Sequence, residues 1–483
     1  MLRFKVFHDG RPAPSFDLSS AYLVGNDRVP IRAEIKFSAG EIVAESRTRG
    51  AAALAILWTV KGVGRVMMET PRLCERPGPY NLNVELARGQ LMRISQKRED
   101  WGLYDFEEGR DLYDRVDAAR KLLISAITAS DEVTAAAFGD QALTESVRVG
   151  EDLSKFHADV FLDRRQAASQ LSKRTFGCRI DPAKTSENYE RQLSRAFDFG
   201  VLPLPWRDLE PREGEYKAAA CEPWFNTLRQ NKMAVWAESL LTLDPAQLPE
   251  WLTKTARNYE QFRDCVTRHI RQMLRKYGPY VHVWEAIRGA HAHNDFRFTF
   301  EQIMELTRIT SLLIKQTSPK SSSVIGITQP WGEYYANDPR TIPPLLYAEM
   351  TVSSGIHFDA FGIDLRFSVD ALNTNGAMRD TMQISSMLDR FGTLGKPIHV
   401  LLAGVPSGGG NEASGCWRDQ WSDAVQAEWF NRVYRIALSK PFVESVVCHR
   451  LADATSLDGI LNIDCTPKPA FDQLLKLKTE LGA

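Results

Sequence analysis

The amino-acid sequence predicts an α/β chain: a (β/α)8 TIM barrel preceded by a β-sandwich-like domain and a helical connector. Three observations carry this. After Lys173, eight short apolar runs alternate with longer amphipathic stretches, which fits a closed parallel barrel better than an open doubly wound sheet. The first hundred residues follow a period of two instead, with Ile31, Ala33, Ile35 and Phe37 separated by Arg32, Glu34 and Lys36. At 483 residues the chain is also longer than one hydrophobic core usually organises, so more than one domain is expected.

Taken in order, residues 1–106 read as the sandwich. Further strands are predicted over 53–61 and 63–69, and Gly40, Gly50, Gly62 and Pro71 punctuate them. Over 107–172 the turn residues thin out. Leu112, Val116, Ala119, Leu122, Leu123 and Ile127 recur at helical spacing, which predicts the connector. Residues 173–483 form the barrel, with strands predicted over 175–178, 199–203, 234–237, 281–284, 324–328, 360–365, 398–402 and 443–448. Helices are predicted between them, including 252–277, 300–317, 378–394 and 424–438.

The 60 basic residues balance 61 acidic ones, so no global field draws nucleic acid or an anionic membrane. The opening residues, MLRFKVFHDG, lack a secretory apolar stretch, and no run is long enough to span a bilayer. Seven cysteines without CxxC spacing argue against a paired secreted framework and for a reducing cytoplasm, unless an export signal has been removed. No cofactor is expected: the glycine-rich loop 407–415 lacks the Lys and helix start of a phosphate cradle and reads as a lid followed by Trp417 and Trp421. His291 and His293 form a His-x-His pair, but no further ligand completes a metal spacing. The oligomeric state is not encoded in any of these patterns.

Several segments, in order, resemble glycoside hydrolase family 10, the xylanase type: Phe176-Gly-Cys, Trp206-Arg-Asp-Leu-Glu-Pro-Arg-Glu-Gly-Glu-Tyr216, Gln247-Leu-Pro-Glu-Trp-Leu252, Gln426-Ala-Glu-Trp429, Ala437-Leu-Ser-Lys-Pro441 and Leu461-Asn-Ile-Asp-Cys-Thr-Pro-Lys-Pro-Ala470. The resemblance covers about residues 173–480 and implies a barrel fold and a carbohydrate ligand. It also implies an acid at the end of the fourth strand and a nucleophile on the seventh. Trp284-Glu-Ala-Ile-Arg-Gly289 and Val400-Leu-Leu-Ala403 put Gly289 and Leu402 at those positions. Neither residue can protonate a leaving oxygen or attack a sugar carbon, which a retaining glycosidase needs two carboxyl groups to do.

Other carboxylates stand near the predicted strand ends: Glu210, Glu238, Glu285, Glu333 and Asp364. Glu238, Glu333 and Asp364 are the candidates for relocated acid and base, because barrel enzymes place reacting groups where strands end. Glu285, before its strand's end, reads as an inward group neutralised by a partner. Arg207, Arg288, Arg366 and Arg450 fall near the ends of strands two, four, six and eight. They either bind an anionic sugar or neutralise the carboxylates. Gln329, Trp331 and Tyr334 after strand five, with Trp206, His291, His293 and Trp417, complete the expected sugar-binding surface. Two functions remain open on this reading: a hydrolase with relocated carboxylates, and a catalytically inactive carbohydrate-binding barrel.

Overall fold

The computed structural model describes residues 1–103, 106–255, 258–338, 340–367, 376–409 and 412–482. Eight parallel strands close into a barrel: β1 (Phe176–Arg179), β2 (Phe199–Leu202), β3 (Ala234–Ala237), β4 (Val283–Arg288), β5 (Ser322–Ile327), β6 (Ala360–Arg366), β7 (Ile398–Gly404) and β8 (Val443–Cys448). Closure comes from β8 pairing with β1, Val446 opposite Phe176. The strands over 234–237 and 443–448 keep their predicted bounds. β4 begins two residues later and ends four residues later than the predicted 281–284.

The barrel interior is packed. Phe199 stacks on Trp236 with ring centroids 4.1 Å apart, and Leu401, Leu402, Val324 and Val447 join the same buried cluster. Among the irregularities that interrupt the ladders, one lies in β4 between Glu285 and Ile287 and one where β6 passes from Ile363 to Asp364 opposite β7. An extra residue re-aims the side chains beyond it. Both irregularities lie beside carboxylates at the barrel mouth.

Three long helices precede the barrel: α1 (Leu82–Asp100), α2 (Arg110–Thr128) and α3 (Glu132–Ala167). α1 lies in the stretch that the sequence reading gave to strands. It is capped by the Asn81 side chain and buries Asn83, Glu85, Gln90 and Lys97 along with Leu86 and Leu91, so no clean apolar stripe advertises it. Buried Arg165 at the end of α3 donates to the carbonyls of Leu438, Lys440 and Val443, which ties the helix to the entrance of β8.

The N-terminal strands form a short hairpin, Phe7–His8 with Arg11–Pro12, and two larger sheets. One is four-stranded, in the order Tyr80–Asn81, Leu2–Lys5, Glu41–Ser46 and Ala33–Ser38. The other is five-stranded and takes one strand, Cys416–Trp417, from the loop after β7, laid against Gly64 and Arg65. An ideal Cβ on Gly64 would sit 2.3 Å from the Cys416 and Arg418 carbonyl oxygens, so only glycine admits this approach. Met67 donates its backbone N–H to the Met378 carbonyl, and Gln383 donates to the Met67 carbonyl from helix α4 (Thr381–Gly392). Sheet and barrel are therefore joined by backbone hydrogen bonds. No described helix is long and apolar enough to cross a membrane.

Candidate functional site

The C-terminal ends of the strands open onto a cavity of about 420 Å3. Arg179, Glu238, Arg288, Gly289, His293, Asp364, Arg366, Leu402, His449 and Arg450 line it, and Trp206 forms one wall. Trp206 is held from behind by a buried network. Its indole donates to Glu210 at 2.7 Å and stacks on His269 at 4.1 Å, while the Gly214 N–H donates to the other Glu210 oxygen at 2.8 Å. Burial alone would raise the Glu210 carboxyl, but His269, Gly214 and Trp206 together bring it down to about 2. Glu210 is thus a fixed anion that orients Trp206, and it does not line the cavity among the described residues.

Arg288 is the electrostatic centre of the mouth. It makes a bidentate pair with Glu285, at 2.7 and 2.6 Å, and stands 3.7 Å from Glu238. Glu238 in turn accepts two bonds from Arg179, at 2.5 and 3.2 Å. Burial opposes the charge on Glu238, yet Arg179 and Arg288 outweigh it and hold the carboxyl below its ordinary value. For Glu285, deeper in the barrel, burial wins and pushes the carboxyl up to about 7 despite Arg288. Gly326 on β5 makes room for this pair, since an ideal Cβ there would meet a Glu285 oxygen at 2.1 Å.

Asp364 differs from both. It is buried, and neither carboxyl oxygen has a hydrogen-bond partner among the described residues. Burial raises its pKa, and Arg288 and Arg366 offset that only in part. His449 is also buried, with both ring nitrogens lacking hydrogen-bond partners among the described residues, and burial with the surrounding arginines keeps it neutral.

Gly289 and Leu402 both reach the cavity. Gly289 has φ +61° at a turn, and an added Cβ would lie 2.9 Å from Thr328 Oγ1. Placing a carboxylate there would strain the backbone as well as crowd Thr328.

The remaining candidates lie elsewhere. Glu333 is hydrogen-bonded to the buried Arg379, which also reaches Tyr22 of the N-terminal sheet, so this carboxylate faces the domain junction and not the mouth. Trp331 stacks against the same guanidinium, 4.9 Å from ring centroid to Arg379. Gln329, with φ +44°, turns the chain just before it. Tyr334 donates to the Ile342 carbonyl at 2.7 Å and packs on His291, which is fully buried and whose pKa burial lowers to about 3. Trp417 is completely buried under the N-terminal sheet, its indole donating to Glu151 at 2.6 Å. Arg207 is exposed and donates to the Ala246 carbonyl. Arg179 and His449 were missed in the sequence although each stands at a strand end; neither belongs to a residue pattern that marks it.

Among the described residues no group of three or more His, Cys, Asp and Glu converges in a way that could hold a metal ion.

Residues 164–307 match the model of glycosyl hydrolase family 10. The match runs from the end of α3 through β4 and covers less than a third of the chain. No curated protein matches. Among solved structures, a GH10 endoxylanase from a sugarcane soil metagenome is 13% identical with a TM-score of 0.50, covering 65% of this chain and 99% of that one. Xylanase 10B from Thermotoga petrophila, solved with xylobiose, is 18% identical with a TM-score of 0.48, covering 65% of this chain and 97% of its own. A GH10 protein from Paenibacillus barcinonensis is 16% identical with a TM-score of 0.48. At 13% identity the likeness to the sugarcane soil enzyme speaks to the barrel fold alone.

Proposed function

We propose that the barrel mouth binds a carbohydrate and that Asp364 is the group that meets it. The observation carrying this reading is a buried carboxyl lining a cavity with both oxygens unsatisfied among the described residues. Leaving a buried polar group unpaired costs about 1–3 kcal/mol, which a sugar hydroxyl would recover on binding. Trp206 offers an indole in the cavity wall, and Arg179, Arg288 and Arg450 offer donors to sugar oxygens.

The acids around these arginines argue for a neutral glycan before an anionic one. Glu285 and Glu238 flank Arg288, Glu238 holds Arg179, and Asp458 lies 3.3 Å from Arg450. With Glu333 outside the cavity and Glu238 clamped by two guanidiniums, the inactive-barrel reading leads. Gly289 and Leu402 support it, because neither can serve a retaining mechanism. A second reading, acid–base chemistry, rests on one observation: burial raises Asp364 while Arg179 and Arg288 lower Glu238, the divergence expected of an acid and base pair.

The division into residues 1–106, 107–172 and 173–483 is kept as a proposal, with the first part packed firmly on the barrel. A cytoplasmic location is also proposed, on the odd cysteine count; the seven cysteines are all unpaired. The test of function is a titration of the intact chain against matched neutral, uronic and sulfated oligosaccharides, with product analysis. Saturable binding without cleavage is the expected result. Robust xylan cleavage that survives substitution of both Asp364 and Glu238 would overturn the reading and show that the chemistry uses other groups.

A further inference from the structure

A second cavity, of about 120 Å3, lies where the five-stranded N-terminal sheet meets the loop after β5 and helix α4. Val24, Met67, Pro344 and Phe391 give it apolar walls, and Arg28, Arg93, Arg379 and Arg390 line it as well. These guanidiniums are partnered differently from those of the mouth. Arg28, exposed at the rim, donates to Gln96 at 3.1 Å. Arg390 donates to the Asp27 carbonyl at 2.9 Å. Arg93 donates to Gln90 at 2.8 Å and is ion-paired with Glu69, which also lines the cavity, at 3.6 Å and with Asp380 at 3.8 Å. Only Arg379 of the four is hydrogen-bonded to a carboxylate, Glu333, among the described residues. The Ser386 hydroxyl lines the cavity too, buried and without a hydrogen-bond partner among the described residues.

A guanidinium carries five N–H donors in a fixed fork that matches carboxylate and phosphate oxygens. For Arg28 and Arg390 one neutral acceptor leaves most of those donors, and the positive charge, unmet, whereas Arg93 shares its charge with Glu69 and Asp380. Two such groups arrive here from separate parts of the fold, Arg28 from the N-terminal sheet and Arg390 from α4, and Arg93 joins them from α1.

We propose that this junction cavity binds a small oxyanion, a phosphate or a carboxylate group, held by Arg28, Arg93 and Arg390 with the Ser386 hydroxyl. The volume suits the anionic head with little attached to it. Because the three arginines belong to three elements, the bound anion fastens the N-terminal sheet to the barrel. The proposal is independent of the carbohydrate reading of the mouth.

The experiment is thermal unfolding and calorimetric titration of the full chain with inorganic phosphate, and separately with acetate, at ionic strength held constant with sodium chloride. A saturable rise in Tm with a Kd below about 1 mM is expected for at least one of them, and the responding anion identifies the head group. Arg28→Gln combined with Arg390→Gln should weaken that binding at least tenfold, and Arg28→Gln alone, at an exposed position, should weaken it measurably. Arg450→Gln, in the mouth, should leave it unchanged. No saturable response to either anion, or the same response in the Arg28 and Arg390 variants, would overturn the site.

Discussion

The barrel mouth and the domain junction are both lined with arginines, but different groups face the guanidiniums. In the mouth, Arg288 lies between Glu285 and Glu238, and Arg179 holds Glu238 through two bonds. At the junction, Arg28 and Arg390 donate to an amide oxygen and a backbone carbonyl, while Arg93 is paired with Glu69 and Asp380. Arginine count is therefore a poor guide to ligand charge. A matched network leaves a carboxyl such as Asp364 to meet a neutral ligand, whereas an unmatched one leaves positive charge to be met by an anion.

The largest expected effect tests the matched network. Arg288→Ala removes the group between two largely buried carboxylates and should destabilise the chain by about 3–5 kcal/mol at pH 8, read from chemical denaturation. A loss below about 1 kcal/mol would mean that the mouth is not held by charge pairing. Next is the joint between the two regions. Glu151 accepts from the Trp417 indole at 2.6 Å and from Arg418 at 2.8 Å, so Glu151→Ala should cost about 2–3 kcal/mol and expose the loop after β7 to limited proteolysis. Unchanged cleavage would separate that loop from the stability of the joint.

A smaller effect is expected on ligand binding. Asp364→Asn, nearly the same in shape, should weaken neutral oligosaccharide binding about tenfold by calorimetry, because the amide replaces one of the two oxygens with a group that only donates. Equal affinity would remove Asp364 from the site. The last effect is a slope with pH. Asp364 and Glu285 are both held above their ordinary values of 3.8 and 4.5, so the folded chain keeps protons that the unfolded chain releases. Their contribution is fully present below those ordinary values and is lost as pH rises, for Glu285 through about 7. Each proton contributes at most about 1.4 kcal/mol per pH unit, and Glu285→Gln should flatten the curve between pH 5 and 7. An unaltered curve would show that Glu285 is ionised throughout.

The barrel was legible because each strand is a short apolar run with a helix after it, and such a run names its own element. Helix α1 was not, because its buried face includes Asn83, Glu85, Gln90 and Lys97 and its pattern lacks an apolar stripe. The mouth was half legible. A strand-end position puts Glu238, Arg288, Asp364, Arg366 and Arg450 together, and the cavity has them together. The same reasoning also gathered Glu333, Trp331, Tyr334 and Trp417. Glu333, Trp331 and Trp417 turn away because the N-terminal sheet packs against the loops after β5 and β7 and draws them into the junction, and Tyr334 packs on His291 instead.

By itself, the sequence determined the alternation of strand and helix, the residues at each strand end, and the placing of Gly289 and Leu402 at positions where chemistry would need carboxylates. Those are local properties, set by side-chain periodicity and by what each residue can carry. Only the tertiary structure decided which carboxylate each arginine meets, that Asp364 is left without a hydrogen-bond partner among the described residues, and that a sheet from the other end of the chain takes its last strand from the loop after β7. Charge pairing and burial depend on distances between residues far apart in sequence, and those distances are fixed only when the chain is packed.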